Sequence, residues 1–241
     1  DRYVEVSVNG RVDHHSQAGN NGTWRTGVAL FPIDELKLHA SLSTGFRAPS
    51  LYELYGPFVG NADLEAQRSR SSEIGHETRL PGGLTVSNVA FRTDYTQSID
   101  YDFTTNTYAN TGAYYNDGVE SAVSWKPESV GPRVLVAWTW QHANPDSDNH
   151  LLTIPRNRVV VQPAWHFEQA WASVRLDAVS RRPYGQDLPG YALLGAAAGY
   201  TINPTWEVYV RGENLTNTAY EVNSGYATPG ASGYGGVTAT F

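Results

Sequence analysis

From Asp1 to Asp13 the chain alternates. Val4, Val6, Val8 and Val12 share one parity, and Glu5, Ser7, Asn9 and Arg11 the other. A period of two over this length predicts a strand with one apolar and one wet face. The pattern recurs at Trp24, Thr26, Val28 and Leu30. It is clearest at Leu36, Leu38, Ala40, Leu42, Thr44 and Phe46 against Lys37, His39, Ser41 and Ser43. Further runs follow at Ile74–Leu80, Leu84–Tyr95, Val119–Trp125, Val134–Gln141, Arg158–Trp165, Ala172–Ala178, Tyr191–Ile202, Trp206–Arg211 and Tyr234–Phe241. That makes about twelve strands, with no helix-period segment longer than a turn or two.

The connections alternate in character. Those at 32–35, 81–83, 127–132, 168–169 and 203–205 are short, whereas those at 14–22, 47–72, 96–107, 142–155, 181–190 and 213–232 are long and rich in Tyr, Asn and Gly. Short turns on one side and long loops on the other are the signature of an outer-membrane barrel. The predicted fold is therefore all-β: one domain over residues 1–241, an antiparallel up-and-down transmembrane β-barrel with short periplasmic turns and long extracellular loops. An even strand count puts both termini on the periplasmic side. In lipid every backbone N–H and C=O needs an internal partner, so such strands must close. The Val/Leu/Ala/Trp face would meet lipid. Glu5, Arg11, Lys37, Glu120, Arg175, Asp177, Glu207 and Arg211 would line a wet lumen, because a charge facing lipid costs up to about 2–4 kcal/mol. A soluble sandwich with its apolar face packed inward has the same alternation and stays open on pattern alone.

Composition sharpens this. There is no Cys and no Met, and the aromatics are dominated by 15 Tyr and 7 Trp against 7 Phe. The absence of Cys excludes disulfides and thiolate metal sites. Tyr and Trp suit a membrane–water boundary. A net charge of −7 with no basic run argues against a nucleic-acid partner. No signal peptide or initiator Met is present, so a processed product, an excised part or an incomplete record is expected. No stretch approaches the roughly 20 apolar residues of a spanning helix.

The 26 residues of the 47–72 loop are unusually long for a segment without periodicity, and such loops are commonly functional. The stretch reads FRAPSLYELYG, then GNADLEAQRSRSSEIG. It resembles a segment of TonB-dependent outer-membrane receptors, in which a strand ends in F-[RK]-A-P, crosses an extracellular loop and re-enters through a motif carried here by Asn61, Leu64, Ser71 and Gly75. Gln67 stands where that family usually has its first glutamate, and Glu73 sits near the later one. Arg211-Gly212-Glu213-Asn214-Leu215-Thr216-Asn217 through Tyr220-Glu221 is similar to the segment before the family's last strand. Phe241 resembles the C-terminal insertion signal of outer-membrane proteins. The order of these segments matches the C-terminal half of a receptor barrel, of cobalamin or siderophore flavour.

The resemblance implies a bacterial outer-membrane protein, not an enzyme, that takes up a scarce nutrient such as a metal chelate or cobalamin. Its partners would be outer-membrane lipid and a small-molecule ligand, with TonB only if a plug domain is supplied elsewhere; neither plug nor TonB-interaction segment stands in these residues. The alternative is a plugless closed barrel of about twelve strands acting as a passive porin-like channel, or a structural or engineered barrel. No cofactor, nucleophilic triad, phosphate-binding glycine motif or zinc spacing is expected. A Ser/His phospholipase chemistry, known among twelve-stranded outer-membrane barrels, would need a pairing that no spacing here suggests. His14-His15 beside Asp13 reads as a hydrated loop rather than a metal site, and Asp146 and Asp148 as turn formers rather than calcium ligands. Tyr52, Tyr55, Phe58, Tyr101, Tyr108, Tyr114 and Tyr115 are the candidate ligand contacts on the outer loops, with loop packing as their alternative role.

Overall fold

A computed structural model describes residues 3–17, 19–127, 130–145, 154–182 and 188–240. The described strands are β1 (Tyr3–His15), β2 (Gly19–Ile33), β3 (Leu36–Arg47), β4 (Gln67–Leu80), β5 (Leu84–Thr96), β6 (Ile99–Asp102), β7 (Thr107–Asn110), β8 (Tyr114–Trp125), β9 (Gly131–Pro145), β10 (Asn157–His166), β11 (Ala170–Val179), β12 (Tyr191–Thr201), β13 (Trp206–Glu213) and β14 (Ser232–Ala239). One short helix, α1 (Leu51–Tyr55), interrupts them. Twelve strands form one sheet in the order β1-β2-β3-β4-β5-β8-β9-β10-β11-β12-β13-β14, and β6 pairs with β7 in a separate ribbon. Sequence neighbours pair antiparallel, as an up-and-down meander requires.

The chain divides into two compact units. The first comprises Asp1–His76, Val89–Val119 and Gln141–Leu152, the second Glu77–Asn88, Glu120–Trp140 and Thr153–Phe241. In the first, the register aligns Val6 with Val28 and Val28 with Ala40, and Val4 with Leu30 and Leu30 with Leu38. On the opposite face Glu5 aligns with Ala29 and His39, Ser7 with Gly27 and Ser41, and Asn9 with Arg25 and Ser43. In the second unit Val161 aligns with Val136 and Leu176, and Leu176 with Leu194. One residue away, Val160 aligns with Ala137 and Asp177.

The apolar stripes are not a conventional core. Val4, Val6, Val8 and Val12 are 60–78% exposed, and Val28, Leu30, Leu38, Leu42, Val136, Val174, Leu176 and Val208 are also exposed. Among the described residues the buried hydrophobics are Leu54, Leu64, Ala66, Ile99, Ala143 and Leu188, and none lies on those stripes. A sandwich would bury one whole face of each sheet. Among the described residues, the apolar stripes are not buried as the soluble alternative requires.

Two predicted loops are shorter than expected and a third is longer and partly strand. The 14–22 segment is mostly strand, with β1 running to His15 and β2 starting at Gly19. His14 Nδ1 lies 2.7 Å from Asn20 Oδ1, and the fully buried Asn21 accepts from Arg68 at 3.0 Å, so polar side chains carry the pairing onward. β4 begins at Gln67, well inside the expected 47–72 loop. The expected 96–107 loop extends over 97–113 and carries the β6–β7 ribbon, where Tyr101 aligns with Tyr108 and their rings meet edge to face at 5.6 Å. Asp102 closes its turn by accepting from the Thr104 N–H at 2.8 Å, and Asn106 takes a left-handed φ of 56°. Hydrophobic alternation marks only strand segments with one apolar face, so these polar extensions leave no periodic signal.

Candidate functional site

β3 ends at Arg47, and Pro49 biases Ala48 away from helix. Ser50 then caps α1. Its N–H donates to Glu53 Oε2 at 2.6 Å, and the Glu53 N–H donates back to Ser50 Oγ at 3.2 Å, a reciprocal capping box. Arg47 Nη1 reaches both Glu53 oxygens at 3.0 Å. Burial, the largest single influence on the Glu53 carboxyl, pushes its pKa up; hydrogen bonds from Ser50 and Arg47 together outweigh it and hold the pKa below its ordinary value. A carboxyl depressed in this way stabilises the fold above its unfolded pKa of 4.5 and loses that contribution as pH falls through the lower folded value. The expected result is a Glu53 carboxyl carbon resonance whose NMR titration midpoint lies below 4.5. Glu53→Gln should abolish that titration; a midpoint at or above the ordinary value would contradict the capping geometry.

The helix ends at Gly56, whose N–H donates to Tyr52 O at 2.8 Å. A Cβ at Gly56 would sit 2.5 Å from that same oxygen, so the close turn admits only glycine. Leu54, 3% exposed, points inward and packs with Leu64, Ile99 and Tyr108. Polar side chains stitch the two excursions together. Asn61 Nδ2 donates to Tyr108 O at 3.0 Å, and the Tyr108 N–H donates to Val59 O at 2.9 Å. Asn110 Nδ2 donates to Glu65 O and Gln97 O, while its Oδ1 accepts from the Glu65 N–H. Asn61 and Leu64, prominent in the loop motif, are thus structural. So is Gln67, which accepts from Arg47 Nε at 3.4 Å.

With Leu54 inside, four large side chains of the segment stay exposed. Leu51 is 73% exposed, Tyr52 60%, Tyr55 55% and Phe58 99%. Leu51 and Tyr55 are four apart on α1 and share one face, while Phe58 lies beyond the helix. Phe58 holds φ 67°, a left-handed conformation that is a genuine outlier for a bulky residue. The other aromatic candidates are engaged. Tyr101 packs between Phe103 and Tyr108, and Tyr108 also meets the edge of Tyr52 at 6.1 Å. Tyr114 stacks on Tyr95 at 4.4 Å, and the Arg92 guanidinium covers Tyr115 at 4.0 Å. Of the seven, Tyr52, Tyr55 and Phe58 remain exposed, Tyr52 with an edge-to-face contact to Tyr108; sequence reasoning missed Leu51, which no local pattern separates from the buried Leu54.

The charged candidates fall on the polar face of each unit. In the first, Glu5, Lys37, Arg25, His39, Ser41 and Glu73 border a concavity of about 590 Å³. Glu73 accepts from Ser41 at 3.1 Å and pairs with Arg25 at 3.8 Å, and Arg11 pairs with Asp13. In the second, Arg158 grips both Asp177 oxygens at 3.0 and 2.6 Å, and Arg175 joins them at 3.3 Å. Glu207 accepts from Thr201, and Arg211 lies over Tyr234 and near Glu213. Strand alternation sets Glu120 opposite Ser121 and Val123. His14 engages Asn20 and His15 accepts from the Gln17 N–H, both within the turn they flank. Asp146, Asp148 and Phe241 lie outside the described residues.

The second motif closes its own loop. Asn214 is buried with φ 48°; its Nδ2 donates to Thr218 O and Pro229 O, and its Oδ1 accepts from the Thr218 N–H. Leu215 packs so tightly on Gly212 that a Cβ there would lie 2.6 Å from Leu215 Cδ2, and Tyr220 lies 4.5 Å from Tyr191. Buried Arg182 donates to the Glu221 and Val222 carbonyls at 2.6 and 2.7 Å, tying the neighbouring loop to this one.

Residues 1–215 match the family described as TonB dependent receptor-like, beta-barrel. The chain belongs to that family. As a TonB-dependent receptor barrel chain it is similar in structure to the ferric enterobactin receptor PfeA of Pseudomonas aeruginosa, with a TM-score of 0.81 and 18% identity over 99% of this chain and 43% of that one. The siderophore receptor PirA of Acinetobacter baumannii gives 0.78 at 16% identity, with 99% and 43% covered. The ferric-catecholate import receptor Fiu of E. coli K12 gives 0.70 at 18% identity, with 92% and 35% covered. At such identities the likeness is one of fold. The receptor barrel chain spans less than half the length of these relatives. Receptors of this family are bacterial outer-membrane transport proteins rather than enzymes, and they work with TonB.

Proposed function

We propose that the chain is part of an outer-membrane uptake receptor and that Leu51, Tyr52, Tyr55 and Phe58 capture a scarce small-molecule nutrient of the metal-chelate or cobalamin class. The observation that carries this reading is the exposure of these side chains on an ordered loop whose buried cluster is built from other residues. Four large apolar side chains stay outside while Leu54, Leu64, Ile99 and Tyr108 satisfy the loop core beneath. Rigid aromatics on an ordered loop supply contact area at low entropic cost.

A membrane setting accounts for the exposed stripes. In the second unit Asn157, the partner of Trp140, and Trp165 lie eight residues apart along β10. At about 3.3 Å per residue this is about 26 Å of strand, and Val159, Val161 and Pro163 lie between on the same face. An apolar band between aromatic girdles is what a lipid-facing surface needs. The polar faces would then line the lumen, and coupling to TonB would need a plug domain supplied from elsewhere. The passive-channel alternative requires β1 and β14, the two ends of the strand order, to be joined through each other or through further strands.

Two measurements on the purified protein separate the readings. Ferric tris-catecholate, ferric hydroxamate and cobalamin would be titrated against protein in outer-membrane vesicles, and conductance recorded in planar bilayers. Saturable binding of one compound, lost in a Tyr55→Ala/Phe58→Ala double variant, is the expected outcome. Steady conductance together with no binding of any of the three would overturn the receptor reading in favour of a pore.

A further inference from the structure

We propose that Gly199 and Gly236 are seats that hold the Trp171 and Tyr209 rings flat against the polar face of the second unit, keeping that face clear for an imported compound. The proposal rests on the assignment of that face to the lumen and is independent of the capture surface at α1. The register lines up Trp171, Gly199, Tyr209 and Gly236 as one row across β11, β12, β13 and β14. Strand alternation puts this row on the same face as Arg175, Asp177, Glu207 and Arg211. Each ring lies over the glycine of the next strand. A Cβ at Gly199 would stand 2.4 Å from Trp171 Nε1 and 2.6 Å from Cε2, and one at Gly236 would stand 2.5 Å from Tyr209 Cζ and Oη. These separations fall well inside the roughly 3.5–4.0 Å of carbon contact.

Backbone conformation does not account for these glycines, because neither takes a positive φ. Glycine inside a strand weakens it and often marks the close approach of another group; here that group is a ring. The neighbouring positions agree. β12 presents Leu193, Gly195, Ala197 and Gly199 to this face, so three of the four leave the wall low. Farther along it Arg175, Asp177, Leu193, Gly195 and Glu213 border a cavity of about 260 Å³. A ring standing up from the row would narrow the way past it and add an apolar constriction, one of the means by which pores are gated. At each seat the obstacle to a methyl group is a rotatable side chain rather than backbone. Alanine there displaces the ring to another rotamer and leaves the strands paired.

The test uses the full chain in lipid vesicles, labelled with fluorotryptophan, with the Trp171 resonance assigned by its loss in Trp171→Phe. Gly199→Ala is expected to shift that resonance and to raise its relaxation by a water-soluble gadolinium chelate several-fold. The amides of Val174 and Leu194 should keep their exchange protection. Gly235→Ala is the control: its Cβ would meet only Tyr209 O, at an ordinary 3.7 Å, and should leave the ring in place. Clearance is read at Ala197→Cys, a position of the same face partnered by Ser173 and Arg211, in a chain with no cysteine of its own. Labelling by a bulky water-soluble maleimide should slow several-fold when Gly199→Ala and Gly236→Ala are added. An unmoved Trp171 resonance, or lost amide protection, would show that the glycines serve the backbone and would overturn the seat. Rings that lift without slowing the labelling would overturn the clearance. If Ala197→Cys is not labelled even with both glycines present, the face is not wet and the proposal goes with it, while ligand capture at α1 is untouched.

Discussion

Val161→Arg is expected to destabilise the protein in a bilayer by about 2–4 kcal/mol, the cost of a guanidinium near the midplane on a lipid-facing strand position. Its neighbour gives the contrast. Val160→Arg puts the same charge on the opposite face, where Val160 aligns with Asp177, and should fold within about 0.5 kcal/mol of the parent. Reversible unfolding in lipid vesicles by urea, with equal m-values checked, would measure both. The pair separates the membrane reading from any soluble one, because a sandwich core at Val161 and a solvated Val160 would not depend on lipid. Equal effects of the two substitutions would refute the face assignment on which the transport reading stands.

Leu54→Ala should open the outer-loop assembly. The side chain is 3% exposed in a cluster of only four residues, and truncating a buried leucine costs about 2–5 kcal/mol. A core this small has no reserve to absorb that loss. The Tyr108 amide, bonded to Val59 O in the companion loop, should lose at least about tenfold in exchange protection, since about 1.4 kcal/mol is a factor of ten, while the sheet amides stay protected. Leu51→Ala, three residues earlier and 73% exposed, should leave protection intact and weaken ligand capture instead. If Leu54→Ala leaves the Tyr108 amide protected, the two excursions are not one cooperative unit.

The two leucines of LYEL carry opposite duties that their letters do not distinguish. α1 is too short to show a periodic apolar stripe, so which leucine turns inward depends on Leu64 and Ile99 arriving from other segments. The same limit hides the β6–β7 ribbon. Its pairing depends on Tyr101 meeting Tyr108 and on Asn61 and Asn110 reaching across from one excursion to the other. Among the seven aromatics proposed from sequence, composition could gather the set; only their partners divide it into an open face and a packed underside.

By itself the sequence determined the strands, their alternation, the sorting of charge from valine and leucine, and the family, because a period of two and the motif residues are local properties of the chain. Tertiary structure decided how far the polar strands extend, which aromatics remain open and which carboxylates are neutralised. Those outcomes depend on hydrogen bonds and contacts between residues far apart in the chain, and no local periodicity records such meetings.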